Sequence, residues 1–205
     1  MKNRFLEKIF DLLIVICSAI SLVFISGVLD GSVVWSRFAS LLSIYTMFAI
    51  VYYLLECAYI WNRKHGVFFS LLKFILVAGI TFSALFTWIF LQPFYKNSTG
   101  WLSYGYTLIH VVLPILITLE YLVSHKGHFN KKFIVMHMFT FMLYGIVSVL
   151  CGMLANTGYP YAFLDSEQLG YDIVIKECIL IVVVMYIYGK IVLMIDGTFK
   201  KRKRA

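Results

Sequence analysis

Six long apolar stretches, residues 9–29, 39–60, 67–92, 104–124, 133–154 and 173–195, recur along the chain with short polar intervals between them. Each has the length of a membrane-crossing helix, since a hydrocarbon core of about 30 Å needs roughly 20 helical residues. The pattern therefore predicts an all-α, polytopic membrane protein: six transmembrane helices in one bundle, forming a single integral membrane domain over residues 1–205. No internal repeat and no Ser-rich linker divides it. The first run follows a basic start at Lys2, Arg4 and Lys8 but lacks a small-residue cleavage site, which predicts a retained helix and not a leader.

Within these runs a few polar positions fall on one face. Ser36, Ser40, Ser43 and Thr46 follow one another at helical spacing in the second helix, and Thr107, His110, Pro114 and Thr118 do so in the fourth. At 1.5 Å per residue from the same end of the bundle, Ser43 lies about 7 Å deep, His110 about 9 Å and Thr46 about 12 Å, so the three share a layer. Two explanations stand side by side. Hydroxyls bonded to carbonyls one turn back, with a histidine bonded across helices beside a proline kink, would be ordinary membrane packing. Alternatively, His110 could take the proton of Ser43 or Thr46 and make it a nucleophile near the depth of a lipid ester bond.

Composition agrees with the apolar pattern. The chain is 61% hydrophobic and 14% charged, with a mean hydropathy of +0.88, outside the range of water-soluble domains. Signatures of soluble enzymes such as G-x-S-x-G, H-E-x-x-H or a phosphate-binding glycine loop are missing.

Charge then adds an orientation. Lys2, Arg4, Lys8, Arg63, Lys64, Lys126, Lys131, Lys132 and the terminal Lys200 to Arg204 cluster fall on one side of six alternating helices, whereas the other side holds only Arg37, Lys96 and Lys176 among its acids. The positive-inside rule puts both termini in the cytoplasm. The net charge of +8 accordingly reflects topology and lipid headgroups, not nucleic acid.

Other features change the picture less. Cys17, Cys57, Cys151 and Cys178 all lie in spans without a C-x-x-C pair and read as small core residues, although Cys151 and Cys178 are close enough in depth for a disulfide to be open to them. His137 lies roughly 15 Å in depth from His110, too far to share a metal ion. His65, His125 and His128 belong to basic loops and read as solvated. Glu56 and Glu120 approach the cytoplasmic surface and read as structural, either snorkelling to it or pairing with Arg63, Lys64 or Lys73. Asn97-Ser98-Thr99 has the glycosylation pattern. The segment 156–172, "NTGYPYAFLDSEQLGYD", gathers Tyr159, Pro160, Tyr161 and Phe163 into a cluster that serves either as a lid over the bundle mouth or as part of an aromatic belt.

Three of these segments also carry a family resemblance. "LIHVVLPILITLEYL" resembles the His-x-x-x-Pro-x-x-x-x-x-Asp-Trp helix of six-helix bacterial membrane proteins related to the animal androgen-induced proteins. "GYPYAFLD" is similar to their Tyr-Pro-Tyr-Pro-Phe-Leu-Asp loop, and "LSIYTM" to their Phe-Thr-Ile-x-Ser/Thr-Asn segment. The resemblance covers helices two to six in order. Its departures are Ser43 for threonine, Met47 for asparagine, Glu120-Tyr121 for Asp-Trp, Ala162 for proline and Cys151 for a frequent arginine.

Animal members of that family hydrolyse fatty acid esters of hydroxy fatty acids with a threonine and a histidine. The resemblance thus implies an intramembrane lipid-ester hydrolase in a bacterial plasma membrane, with Ser43 as nucleophile, His110 as base and Thr46 orienting or substituting. Tyr104, Thr107, Tyr159 and Tyr161 are the candidate substrate contacts, Tyr104 and Tyr161 also standing as oxyanion donors. The expected partners are membrane lipids or fatty acyl esters, and no metal or organic cofactor is implied. The alternative is a lipid-binding or transport protein without catalysis, in which the same residues hold a headgroup.

Overall fold

A computed structural model describes residues 2–59, 66–91, 99–124, 129–155 and 159–202. The expectations placed on Arg63, Lys64, His65, Lys96, Asn97, Ser98, His125, Lys126, His128, Lys203 and Arg204 lie outside them, as does the start of the aromatic segment, 156–158. Every regular element among the described residues is helical.

Six helices are long and apolar enough to cross a membrane: Phe5–Asp30, Leu41–Ala58, Val67–Ile89, Gly100–Val123, Lys132–Leu154 and Tyr171–Gly197. They match the six apolar runs, and we call them the first to sixth spans. Their outward faces remain apolar in the fold: Leu54, Ile89, Leu143, Leu180, Ile187 and Met194 are all exposed. Such continuous greasy surface around a bundle is what lipid, not water, requires.

The third span is the hub. It packs against the second, fourth, fifth and sixth, while the first packs against the second and fourth. Large buried side chains from several spans, including Ile14, Tyr53, Phe74, Leu113 and Met185, fill the centre. The contacts between span ends also fix the alternation. Lys73 near the start of the third meets Glu120 near the end of the fourth, whose neighbour Tyr121 bonds Asp196 near the end of the sixth. Asp11 near the start of the first span meets Glu56 and Glu120 there as well, so the first span starts and the sixth ends at one end of the bundle, and the Tyr159 segment lies at the other.

In lipid, apolar burial between helices drives association only weakly, so close backbone approaches and polar contacts decide the packing. Gly105 is such an approach. A Cβ there would sit 2.9 Å from Ile25 Cγ1 and 3.0 Å from the Ile25 backbone nitrogen. Because backbone cannot swing aside, Gly105→Ala is expected to destabilise the bundle by about 1–3 kcal/mol, visible as a lower thermal midpoint in detergent, whereas Gly145→Ala, with open space at its Cβ position, leaves it unchanged.

The fourth span is not a uniform α-helix. Helix Gly100–Thr107 passes into a π turn, Leu108–Val112, and returns to helix over Leu113–Ser124. Pro114 has no N–H to give the His110 carbonyl, and the Leu113 N–H reaches back five residues to the Leu108 carbonyl. Where the sequence suggested a proline kink, the chain inserts a wider turn and continues. That turn carries His110.

Candidate functional site

Ser43 is placed by the start of its helix. Ser40 has an extended backbone and caps the second span, its Oγ accepting from the Ser43 backbone N–H at 3.3 Å. The Ser40 hydroxyl then donates to Ser43 Oγ at 2.8 Å, and Ser43 Oγ donates to the Arg37 carbonyl at 3.0 Å. Thr46, Thr107 and Thr118 behave differently: each hydroxyl bonds the carbonyl four residues back, at 2.7, 2.9 and 2.7 Å. The packing explanation of the stripes thus describes the threonines. It does not describe Ser43, whose hydroxyl bonds the chain before the helix.

Ser43 and His110 line one pocket of about 230 Å³, together with Arg37, Ser40, Tyr159 and Tyr161. Arg37 belongs to a short 3-10 turn, Trp35–Ala39, and is anchored to the end of the first helix by a bond from Nη1 to the Ile25 carbonyl at 3.1 Å. Its guanidinium brings positive charge and several donors to a pocket whose other walls mix hydroxyls with apolar side chains such as Ile25, Leu42 and Ile109.

The aromatic segment folds back over this pocket. Tyr161 accepts from the Leu41 backbone N–H at 3.2 Å, satisfying one of the unpaired donors at the start of the second span. Its ring stacks on Phe163 with centroids 5.2 Å apart. Tyr159 pairs with Ser166 at 3.2 Å, and its ring lies against Gly152 so closely that a side chain at 152 would displace it. Asp165 then starts the following short helix by accepting from the Glu167 and Gln168 backbone N–H groups. The segment thus supplies one wall of the pocket through Tyr159, Pro160 and Tyr161, tied down by the Tyr159 and Tyr161 hydroxyl bonds.

His110 also lines a second cavity. This groove of about 450 Å³ runs between the third, fourth and sixth spans past Leu85, Trp88, Pro114, Ile115 and Leu119. The groove is apolar and open along its side, with Leu85, Trp88 and Ile115 each about half exposed. His110 is thus a shared wall: polar pocket on one side, lipid-facing groove on the other.

Not every expected site residue joins this arrangement. Thr46 is fully buried and lines neither cavity, as its bond to Leu42 implies. Tyr104 is 62% exposed and sits 6.1 Å from the Trp101 ring, away from the pocket. Thr107 is exposed and also lines neither. The fourth-span face holds for His110, Pro114 and Thr118, but the π turn shifts the helical phase ahead of His110 and carries Thr107 off it.

His110 is the only histidine, cysteine or carboxylate lining either cavity, so neither offers a metal-ligand set among the described residues. His137 is buried elsewhere, between the Tyr45 and Phe74 rings. All four cysteines are free thiols. Arg37 is the pocket residue that sequence alone reveals least, since there it is only one of few charges opposite the basic side. Its signal was position, a lone guanidinium six residues before Ser43 at a span entrance.

No family model, no curated protein and no solved structure matches the chain.

Proposed function

We propose that the protein is an intramembrane lipid-ester hydrolase whose substrate lies across His110, its ester in the polar pocket and one acyl chain in the groove. The observation that carries this reading is that Ser43 and His110, from different spans, line one pocket whose His110 wall also borders an apolar groove. An amphipathic ester has the matching division of polar centre and long tail.

In this reaction the Ser43 hydroxyl turns from the Arg37 carbonyl toward the substrate, and His110 takes its proton as Oγ attacks the acyl carbonyl. The Arg37 guanidinium and the Tyr161 hydroxyl stabilise the oxyanion. His110 returns the proton to the departing alkoxide, and water, activated by the same imidazole, cleaves the acyl-enzyme. Tyr159 and Tyr161 restrict water at the mouth. Thr46 supports the helix behind Ser43 and takes no part in the chemistry. The sequence resemblance of the His110 helix and the Tyr159–Asp165 loop to the androgen-induced protein relatives supports the same assignment. The basic flanks favour a bacterial plasma-membrane topology with cytoplasmic termini and this pocket beneath the opposite surface.

A second reading is lipid binding without catalysis, favoured by the Ser43 proton being engaged by the Arg37 carbonyl. The two separate on a fluorophosphonate probe. Wild-type protein is expected to be labelled covalently, and Ser43→Ala to lose the label. Labelling that survives Ser43→Ala, or no labelling of a protein that retains a lipid in native mass spectrometry, rejects the hydrolase.

A further inference from the structure

At the opposite end of the bundle from the Ser43 pocket, four spans each send an ionisable side chain to one point. Lys73 of the third span lies 2.7 Å from Glu120 Oε1 of the fourth and 3.8 Å from Glu56 Oε1 of the second. The Tyr53 hydroxyl donates to the other Glu120 oxygen at 3.3 Å. Asp11 of the first span joins them: one carboxylate oxygen each from Asp11, Glu56 and Glu120 lie within 4.8 Å of one another. All three acids are buried, at 1%, 5% and 1% exposure.

The Glu56–Lys73–Glu120 triad by itself would be a buried ion pair with an extra carboxylate. Asp11 makes it something else. Its Oδ1 is buried and has no hydrogen-bond partner among the described residues, in a side chain that brings a carboxylate oxygen up to those of Glu56 and Glu120. A carboxylate oxygen buried in this way is costly unless a positive group meets it.

We propose that Asp11, Glu56 and Glu120 bind one calcium-sized divalent cation, with Lys73 holding the two glutamates in place. Charge favours divalency: within this group three carboxylates and one ammonium are brought to neutrality by a doubly charged ion, the balance a low-dielectric site requires. Ligand type favours a hard cation, because every donor is a carboxylate oxygen. Coordination favours calcium, which accepts an irregular set of carboxylate oxygens, whereas magnesium demands near-ideal octahedral geometry and keeps several of its waters. Bound there, the ion fastens the first, second and fourth spans together and, through Lys73, the third.

The test uses full-length protein in detergent, stripped with chelator and re-equilibrated with calcium alone. One ion per chain is expected by elemental analysis after removal of excess. Asp11→Asn is expected to bind it about tenfold or more weakly. Should Asp11→Asn not fold, terbium decides in its place: excitation of tyrosine in wild-type protein is expected to give sensitised emission that calcium quenches and that drops sharply in Tyr53→Phe, which keeps every carboxylate. No retained ion, retention unchanged by Asp11→Asn, or terbium emission indifferent to Tyr53→Phe each overturns the proposal.

Discussion

Lys73→Met is expected to destabilise the chelator-treated protein by about 3–5 kcal/mol, the scale seen when one partner of a buried ion pair is removed and the other remains. Glu120 is the carboxylate that suffers most. It is 1% exposed, its Oε1 sits 2.7 Å from the Lys73 ammonium, and its Oε2 accepts from the Tyr53 hydroxyl at 3.3 Å. Without Lys73 its charge faces Glu56 and Asp11 with no attraction to offset the repulsion. Water does not reach Glu120 to restore the balance, because the side chain is buried even near the end of its span. The measurement is reversible unfolding in mixed micelles, with Lys190→Met as control. Lys190 lies over the Tyr186 ring, 5.1 Å from its centroid, and its loss is expected to stay within about 0.5 kcal/mol. Combining Lys73→Met with Glu120→Gln is expected to recover part of the loss, since the double variant no longer buries that carboxylate uncompensated. Equal effects of Lys73→Met and Lys190→Met would show that the network carries no such energy.

The second large effect is on the proposed hydrolysis. Ser43→Ala removes the nucleophile and His110→Ala removes the base, and each is expected to reduce turnover of a long-chain fatty acyl ester by about 100- to 10,000-fold. The double variant is expected to be no slower than either single one, because a nucleophile and its base act as a unit and their losses do not add. Independent, multiplying losses would mean that the two side chains contribute to binding separately. Thr46→Ser is the contrasting substitution. Thr46 lines neither cavity, and its hydroxyl bond to the Leu42 carbonyl is one that serine also makes, so turnover is expected to stay near that of the wild type.

The span pattern was readable because hydropathy at a length of about 20 residues answers to a single cause, the thickness of the hydrocarbon core. Depth was readable for the same reason, and it brought Ser43 and His110 to one pocket. Helical phase was less so. A π turn has no simple residue signature, and Thr107 therefore looked as if it shared the His110 face when it does not. Contacts between distant segments were least readable. Lys73 is one of three basic candidates that the sequence offers Glu56 and Glu120, but Asp11 lies inside a run whose average hydropathy hides it. A single acid within such a run signals a partner elsewhere and does not say which. Arg37 was obscured in a similar way, since charge counting treats a guanidinium at a span entrance as topology while its bond to Ile25 ties it to the site.

The groove beside His110 is bordered by half-exposed side chains on the outward faces of the third and fourth spans, Leu85, Trp88 and Ile115. In the proposed reaction, a substrate tail that enters the groove from the lipid would diffuse in two dimensions and never leave the leaflet. Occupancy then follows the mole fraction of that lipid among its neighbours, and aqueous solubility ceases to matter. A bilayer crowded with inert lipid starves the groove even when the total amount of ligand in the sample is unchanged.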